Sequence, residues 1–118
     1  MSNLAFIIED DVDLSTIFAD ALESVGYEVE RIKDGLKAQQ RLKEEAPALI
    51  LLDMHLPHIS GGDLLQEIRD DERLSNTNVI LTTADARMAE AFEGLADFVM
   101  VKPISFVQLR DLSARLRK

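Results

Sequence analysis

Hydrophobic positions along this chain fall into two alternating patterns, short continuous runs and longer stripes with helical spacing. The runs are Leu4 to Ile8, Leu49 to Leu52, Val79 to Thr82 and Phe98 to Val101. A continuous apolar run of this length reads as a strand buried on both faces, as in a parallel sheet. Tyr27 to Ile32 instead alternates roughly apolar and charged, which predicts an exposed or edge strand. Leu14, Ile17, Phe18, Ala21, Leu22 and Val25 carry the spacing of an amphipathic helix, with Asp11 or Asp13 as N-cap and Gly26 as terminator. Asp34-Gly35 opens a weaker helix from about Leu36 to Glu45, closed off by Pro47. Ser60 and Asp63 form a capping box ahead of Leu64, Leu65 and Ile68, and residues 70–78 read as polar loop. A short helix from Ala86 to Glu93 carries Met88 and Phe92, with Gly94 after it. Ser105 and Gln108 cap a last helix with Phe106, Leu109, Leu112 and Leu116 facing inward. The basic end of that helix, Arg115, Arg117 and Lys118, suits the helix dipole.

Strand and helix thus alternate strictly, five times over, without internal repeat or linker. With right-handed crossovers this predicts an α/β fold, a five-stranded parallel sheet with helices on both faces. The chain of 118 residues fits one domain, and the expectation is a single domain over residues 1–118 without an output domain. The absence of cysteine excludes disulfides and thiolate metal sites. The apolar run at Leu4 to Ile8 is too short for a signal peptide and ends in acids, and no run approaches a membrane span. A cytoplasmic location is the expectation. A formal net charge of −9 argues against direct contact with nucleic acid or an anionic membrane.

Most of the acids read as a solvated surface, but Glu9, Asp10 and Asp11 abut a buried strand directly, and so does Asp53. The carboxyl ends of parallel strands share one edge of the sheet, where ligands of such folds bind. That edge would carry Glu9 and Asp10 after the first strand, Asp53 after the third, Thr83 after the fourth and Lys102 after the fifth. Each has a plainer reading on its own. Asp53, Asp10 or Asp11 could cap a helix, Thr83 could finish a strand, Lys102 could be an ordinary exposed lysine, and His55 and His58 read as loop residues. Chance would have to place acid, acid, hydroxyl and lysine at four strand ends in this order, and the joint reading as one site is preferred. Three carboxylates in one crevice repel unless a cation sits among them, and an oxygen-only donor set suits Mg2+. A lysine and a hydroxyl facing such an ion are suited to a phosphoryl group, which a carboxylate can accept as an acyl phosphate.

With these residues in place, the chain resembles the receiver domain of two-component response regulators, the chemotaxis-type doubly wound fold. The marks are Ile7-Ile8-Glu9-Asp10-Asp11, Leu51-Leu52-Asp53-Met54 with Pro57 and Gly61, the Thr83-Ala84 strand end, and Lys102-Pro103. The resemblance covers nearly the whole chain and implies the flavodoxin-like strand order 2-1-3-4-5. It implies Asp53 as phospho-acceptor from a sensor histidine kinase or a histidine phosphotransfer protein. It implies Mg2+ held by Asp10, Asp53 and the His55 backbone carbonyl, with Glu9 acting through metal-bound water. Thr83 would hydrogen-bond the phosphoryl group, Lys102 would pair with it, and the Met54 and Ala84 backbone N–H groups would complete the cradle. The response would be a shift of the segment from Thr83 to Glu93. That shift re-orders the face made by the fourth helix, fifth strand and fifth helix toward a downstream protein, and a homodimer is compatible with it. His55 and Asp85, two residues past Asp53 and Thr83, would tune how long the phosphate survives.

The chain departs from the family at one point. Many receivers carry an aromatic residue three positions before the lysine, where this chain has Val99, with Phe98 one residue earlier. Strand alternation turns Phe98 to the opposite side, so the expectation for it is core packing. Two other classes compete with a signalling module. An Mg2+-dependent phosphohydrolase with an aspartyl nucleophile usually has a second acid two residues on, where His55 stands. A phosphorylation-independent interaction module would not need the full set of site residues.

Overall fold

Alternate residues of the central strands feed two apolar clusters, one on each face of a sheet. The computed structural model describes residues 3–117, so Lys118 of the expected basic terminus lies outside the described residues. The strands are β1 (Leu4–Ile8), β2 (Glu28–Ile32), β3 (Leu49–Asp53), β4 (Asn78–Thr83) and β5 (Phe98–Val101). They form one parallel sheet in the order β2-β1-β3-β4-β5, as expected. The helices are α1 (Val12–Ser24), α2 (Gly35–Glu44), α3 (Gly61–Asp70), α4 (Ala86–Ala91) and α5 (Phe106–Leu116). Phe6, Ile8, Ile50, Leu52 and Leu81 pack with α2 and α3 on one face. Ala5, Ile7, Leu49, Leu51 and Ile80 pack with α1 and α5 on the other. Every residue of β3 is buried. Each buried Leu or Ile contributes roughly 1.5–3 kcal/mol, and that burial carries the strand-end carboxylate of Asp53 inward with it.

The helix caps follow the local chemistry. Asp11, rather than Asp13, caps α1 by accepting from the Leu14 N–H at 3.0 Å. Gly26 ends it with φ of +99°, a conformation that favours glycine. Asp34, Ser60, Asp85 and Ser105 cap α2, α3, α4 and α5 through their side chains.

Several placements differ from the pattern. Tyr27 precedes β2 and is buried, its hydroxyl donating to the Ser113 carbonyl at 3.0 Å. The loop expected over residues 70–78 contains a single turn of 3-10 helix at Glu72–Leu74, which buries Leu74 in the core. Ile17 is 46% exposed while Ser15 is buried, so the inner stripe of α1 sits slightly rotated from its apolar one. Helix α4 ends at Ala91 and buries none of its residues. Phe98, expected in the core, is 42% exposed, because β5 is an edge strand paired only with β4. Phe106, expected to face inward, is 38% exposed, since α5 joins its cluster only from Leu109 onward.

Candidate functional site

The carboxyl edge of the sheet gathers the side chains expected there. Carboxylate oxygens of Glu9, Asp10 and Asp53 all lie within 4.8 Å of one another. Glu9 and Asp53 are buried and Asp10 is exposed, so the cluster opens to solvent on the Asp10 side. Lys102 reaches in from the end of β5. Its Nζ donates to Glu9 Oε1 at 3.0 Å and stands 3.2 Å from Asp53 Oδ1. The second contact is an ion pair without hydrogen-bond alignment, which leaves Asp53 Oδ1 a buried acceptor lacking a donor among the described residues.

Backbone geometry fixes each of these groups. The Glu9 N–H donates to the Ile32 carbonyl, and Glu9 Oε2 accepts from the Asp11 N–H at 3.2 Å. Asp53 is the last residue of β3 and lies opposite Thr82 in the register. The Met54 N–H, expected in the phosphoryl cradle, donates to the Thr82 carbonyl at 2.9 Å. No described residue donates to the His55 carbonyl, and His55 itself is exposed. The chain then returns through Gly61, whose N–H donates to the Met54 carbonyl at 2.8 Å. A Cβ on Gly61 would stand 2.1 Å from the Asp53 carbonyl oxygen and 2.7 Å from Met54 Cα. Only glycine fits this crossing. Gly61 was legible as a turn residue next to the helix, but its contact with the backbone of Asp53 was not.

Thr83 is fully buried at the end of β4. Its carbonyl accepts from the Lys102 N–H at 2.7 Å, and its hydroxyl accepts from the Asp85 N–H at 3.1 Å. Asp85 in turn caps α4 through the Arg87 N–H at 2.9 Å. The site therefore connects to α4 through one short chain of hydrogen bonds. At the far end of α4, Phe92 lies over Gly62 of α3, leaving no room for a side chain there.

Electrostatics accompany this packing. Burial pushes the Glu9 carboxyl above its ordinary value, and the nearby Asp53 charge adds to that, against the hydrogen bonds from Lys102 and the Asp11 N–H. Burial works against the Lys102 ammonium, but its hydrogen bond to Glu9 and the charges of Asp53 and Glu9 outweigh that and raise it. The lysine stays charged. One cation shared among three acids leaves the pocket short of positive charge, and a buried acceptor at Asp53 Oδ1 is open to a further one. The residues fit a hard divalent ion such as Mg2+.

A doubly wound parallel fold with an acid pocket and a lysine at its carboxyl edge defines the class. Comparison with known proteins narrows it. The family model for the response regulator receiver domain matches residues 5–114. The polar-differentiation response regulator DivK of Brucella ovis is 35% identical over 108 residues, covering 89% of this chain and 88% of that protein. The DNA-binding dual master transcriptional regulator RpaA of Synechocystis is 33% identical over 94% of this chain, which spans only 46% of that longer relative. Among solved structures, the receiver domain of the sensor histidine kinase PA1611 from Pseudomonas aeruginosa superposes with a TM-score of 0.84 at 25% identity, covering 98% of each chain. That structure holds a magnesium ion in its active-site cleft. This chain belongs to the response regulator receiver domain family. Receiver domains are signalling modules of two-component systems.

Proposed function

We propose that Asp53 accepts a phosphoryl group from a phosphohistidine on a sensor kinase or a histidine phosphotransfer protein, and that the acceptance depends on Mg2+. The observation that carries this reading is the buried Oδ1 of Asp53, ion-paired with Lys102 but without a hydrogen-bond donor among the described residues. A carboxylate needs a free oxygen to attack phosphorus and a cation to take the charge that arrives. Glu9, Asp10, Asp53 and the His55 carbonyl would hold the metal, which supplies neutralisation of the transferred phosphoryl oxygens. Lys102, already charged and already inside the pocket, turns from Glu9 toward the new phosphoryl group. Thr83 donates its hydroxyl hydrogen to the same group, and the Ala84 N–H adds a second donor.

The switch follows from what Thr83 now holds. Its hydroxyl accepts from the Asp85 N–H, so turning it toward Asp53 loosens the start of α4. That helix has no fully buried residue, and only half-buried Met88 packs it on the core, so it can move at little packing cost. A phosphoryl group brings up to about two negative charges, enough to bias two states by a few kcal/mol. Phe98, Val101, Phe106 and Val107 give the α4–β5–α5 side an exposed apolar surface for a downstream protein. His55 is exposed and Asp85 half-buried at the two positions expected to set the phosphate's lifetime.

Incubation with Mg2+ and acetyl phosphate, followed by mass spectrometry, tests this. Labelling is expected at Asp53, absent in Asp53→Asn, with the label's half-life altered in His55→Ala or Asp85→Ala. No adduct at Asp53 would overturn the reading.

A further inference from the structure

Beside the acid pocket lies a cavity of about 280 Å³, lined by Glu9, Val12, Ser15, Arg31 and Lys33. Arg31 extends from β2 across to α1, where three hydrogen bonds hold its guanidinium. Nε donates to Ser15 Oγ at 2.8 Å, and Nη2 donates to the Val12 carbonyl at 3.1 Å and to Thr16 Oγ1 at 2.9 Å. All three acceptors are neutral. Arg41, Arg69, Arg73, Arg87 and Arg110 each have a carboxylate within ion-pair distance. Among the described residues Arg31, Arg115 and Arg117 have none; of these three only Arg31, although exposed, is held by side-chain hydrogen bonds, and its Nη1 makes none. Lys33 follows two residues later on the same cavity, also without an acidic partner among the described residues.

A guanidinium normally seeks a carboxylate or a phosphate, because its planar fork matches two oxygens. In a chain of net charge −9, Arg31 is set apart by being held at three points by neutral groups while lacking a counterion. The acid that borders the cavity does not satisfy it. Glu9 Oε1 accepts from Lys102 and Oε2 from the Asp11 N–H, so both of its oxygens already have donors. Ser15 is buried and holds the guanidinium in place, so little side-chain freedom remains to be lost on binding.

From this geometry we infer that Arg31 and Lys33 form an oxyanion-binding subsite next to the acid pocket. Its ligand is a phosphate or carboxylate group that the phosphodonor presents beside the group it transfers. The subsite stands on its own geometry, while the donor as its source rests on Asp53 being the acceptor. Such a subsite offsets the repulsion that an anionic donor meets from Glu9, Asp10 and Asp53. Two sources share this chemistry, an acidic side chain on a donor protein and a small free phosphodonor.

The test uses the whole chain, first without Mg2+, titrated with inorganic phosphate and separately with acetate. The Arg31 Nε–H and Lys33 side-chain resonances are followed by NMR. Saturable shifts centred on Arg31 are expected with both anions. Lys33→Gln, which leaves the Arg31 clamp intact, is expected to weaken binding roughly two- to fivefold. Arg31→Gln is expected to abolish it, and its circular dichroism reports whether the fold survives. No shift at Arg31, or shifts confined to Lys102, would overturn the subsite.

The second arm measures Asp53 labelling with Mg2+ at low and high salt. If acetyl phosphate is the source, Lys33→Gln slows its labelling at low salt only. If the source is a donor protein, labelling from a histidine phosphotransfer protein slows while acetyl phosphate labelling is unchanged. No change with either donor would overturn the link to the donor. Failure of wild-type Asp53 to label at all would strike the phospho-acceptor reading and leave the phosphate titration standing.

Discussion

Glu9 does two things that pull its charge in opposite directions. It pairs with Lys102, which favours the carboxylate, and it is buried beside Asp53, which disfavours it. Burial is the larger cause, so its folded pKa lies above the free value of 4.5. The folded chain therefore binds more protons than the unfolded one in the window just above 4.5, and stability falls as pH rises through that window. Glu9→Gln cannot titrate and is expected to remove that slope, as read from urea midpoints between about pH 4 and 7. An unchanged slope would assign the effect to another group. At this scale the site residues were legible, since a carboxylate or lysine directly after an apolar run has few other places to go. Arg31 was not. The alternation in β2 marks it only as outward-facing, and nothing in the sequence says that α1 lies close enough to take its hydrogen bonds.

At the scale of elements, apolar runs and caps predicted the order of strands and helices because burial and capping are local to each segment. Which face an element buries depends on its neighbours, and there the pattern failed. Phe98 lies on an edge strand, Phe106 precedes the buried part of α5, and Leu74 is drawn inward by a turn within a polar stretch. Two glycines show the same division. Gly61 and Gly94 look alike in sequence, but a Cβ on Gly61 meets the Asp53 backbone, while at Gly94 nothing lies within 4 Å. Gly94 has φ of +92°, so Gly94→Ala is expected to cost roughly 1 kcal/mol from backbone strain alone. Gly61→Ala is expected to cost about 1–3 kcal/mol and to displace Asp53 as well. Urea melts check the stabilities. Acetyl phosphate labelling separates the two, falling in Gly61→Ala and unchanged in Gly94→Ala.

For the whole molecule, the acid pocket is a concentration of charge that folding creates, within a chain already at −9. An ion bound only by the folded state stabilises it through mass action. Mg2+ at ten times its dissociation constant is expected to add about 1.4 kcal/mol, raising Tm by roughly 5 °C, reversibly on chelation. Asp10→Asn, altering the exposed acid of the cluster, is expected to lose most of that rise with the fold intact. A Tm unmoved by millimolar Mg2+ would count against the metal. Stability is also unevenly spread. Helix α4 has one turn and a half and no fully buried residue, and it is held by Asp85 at its start, half-buried Met88 against the core and Phe92 over Gly62 just past its end. Just beyond it, Arg69 of α3 holds the Leu95 carbonyl and Asp97, so looseness stops at the start of β5. Amide hydrogens of Ala86 to Ala91 should thus exchange with solvent by local opening, orders of magnitude faster than those of β3, which open only when the molecule unfolds. The segment the site would move is one that thermal motion already opens.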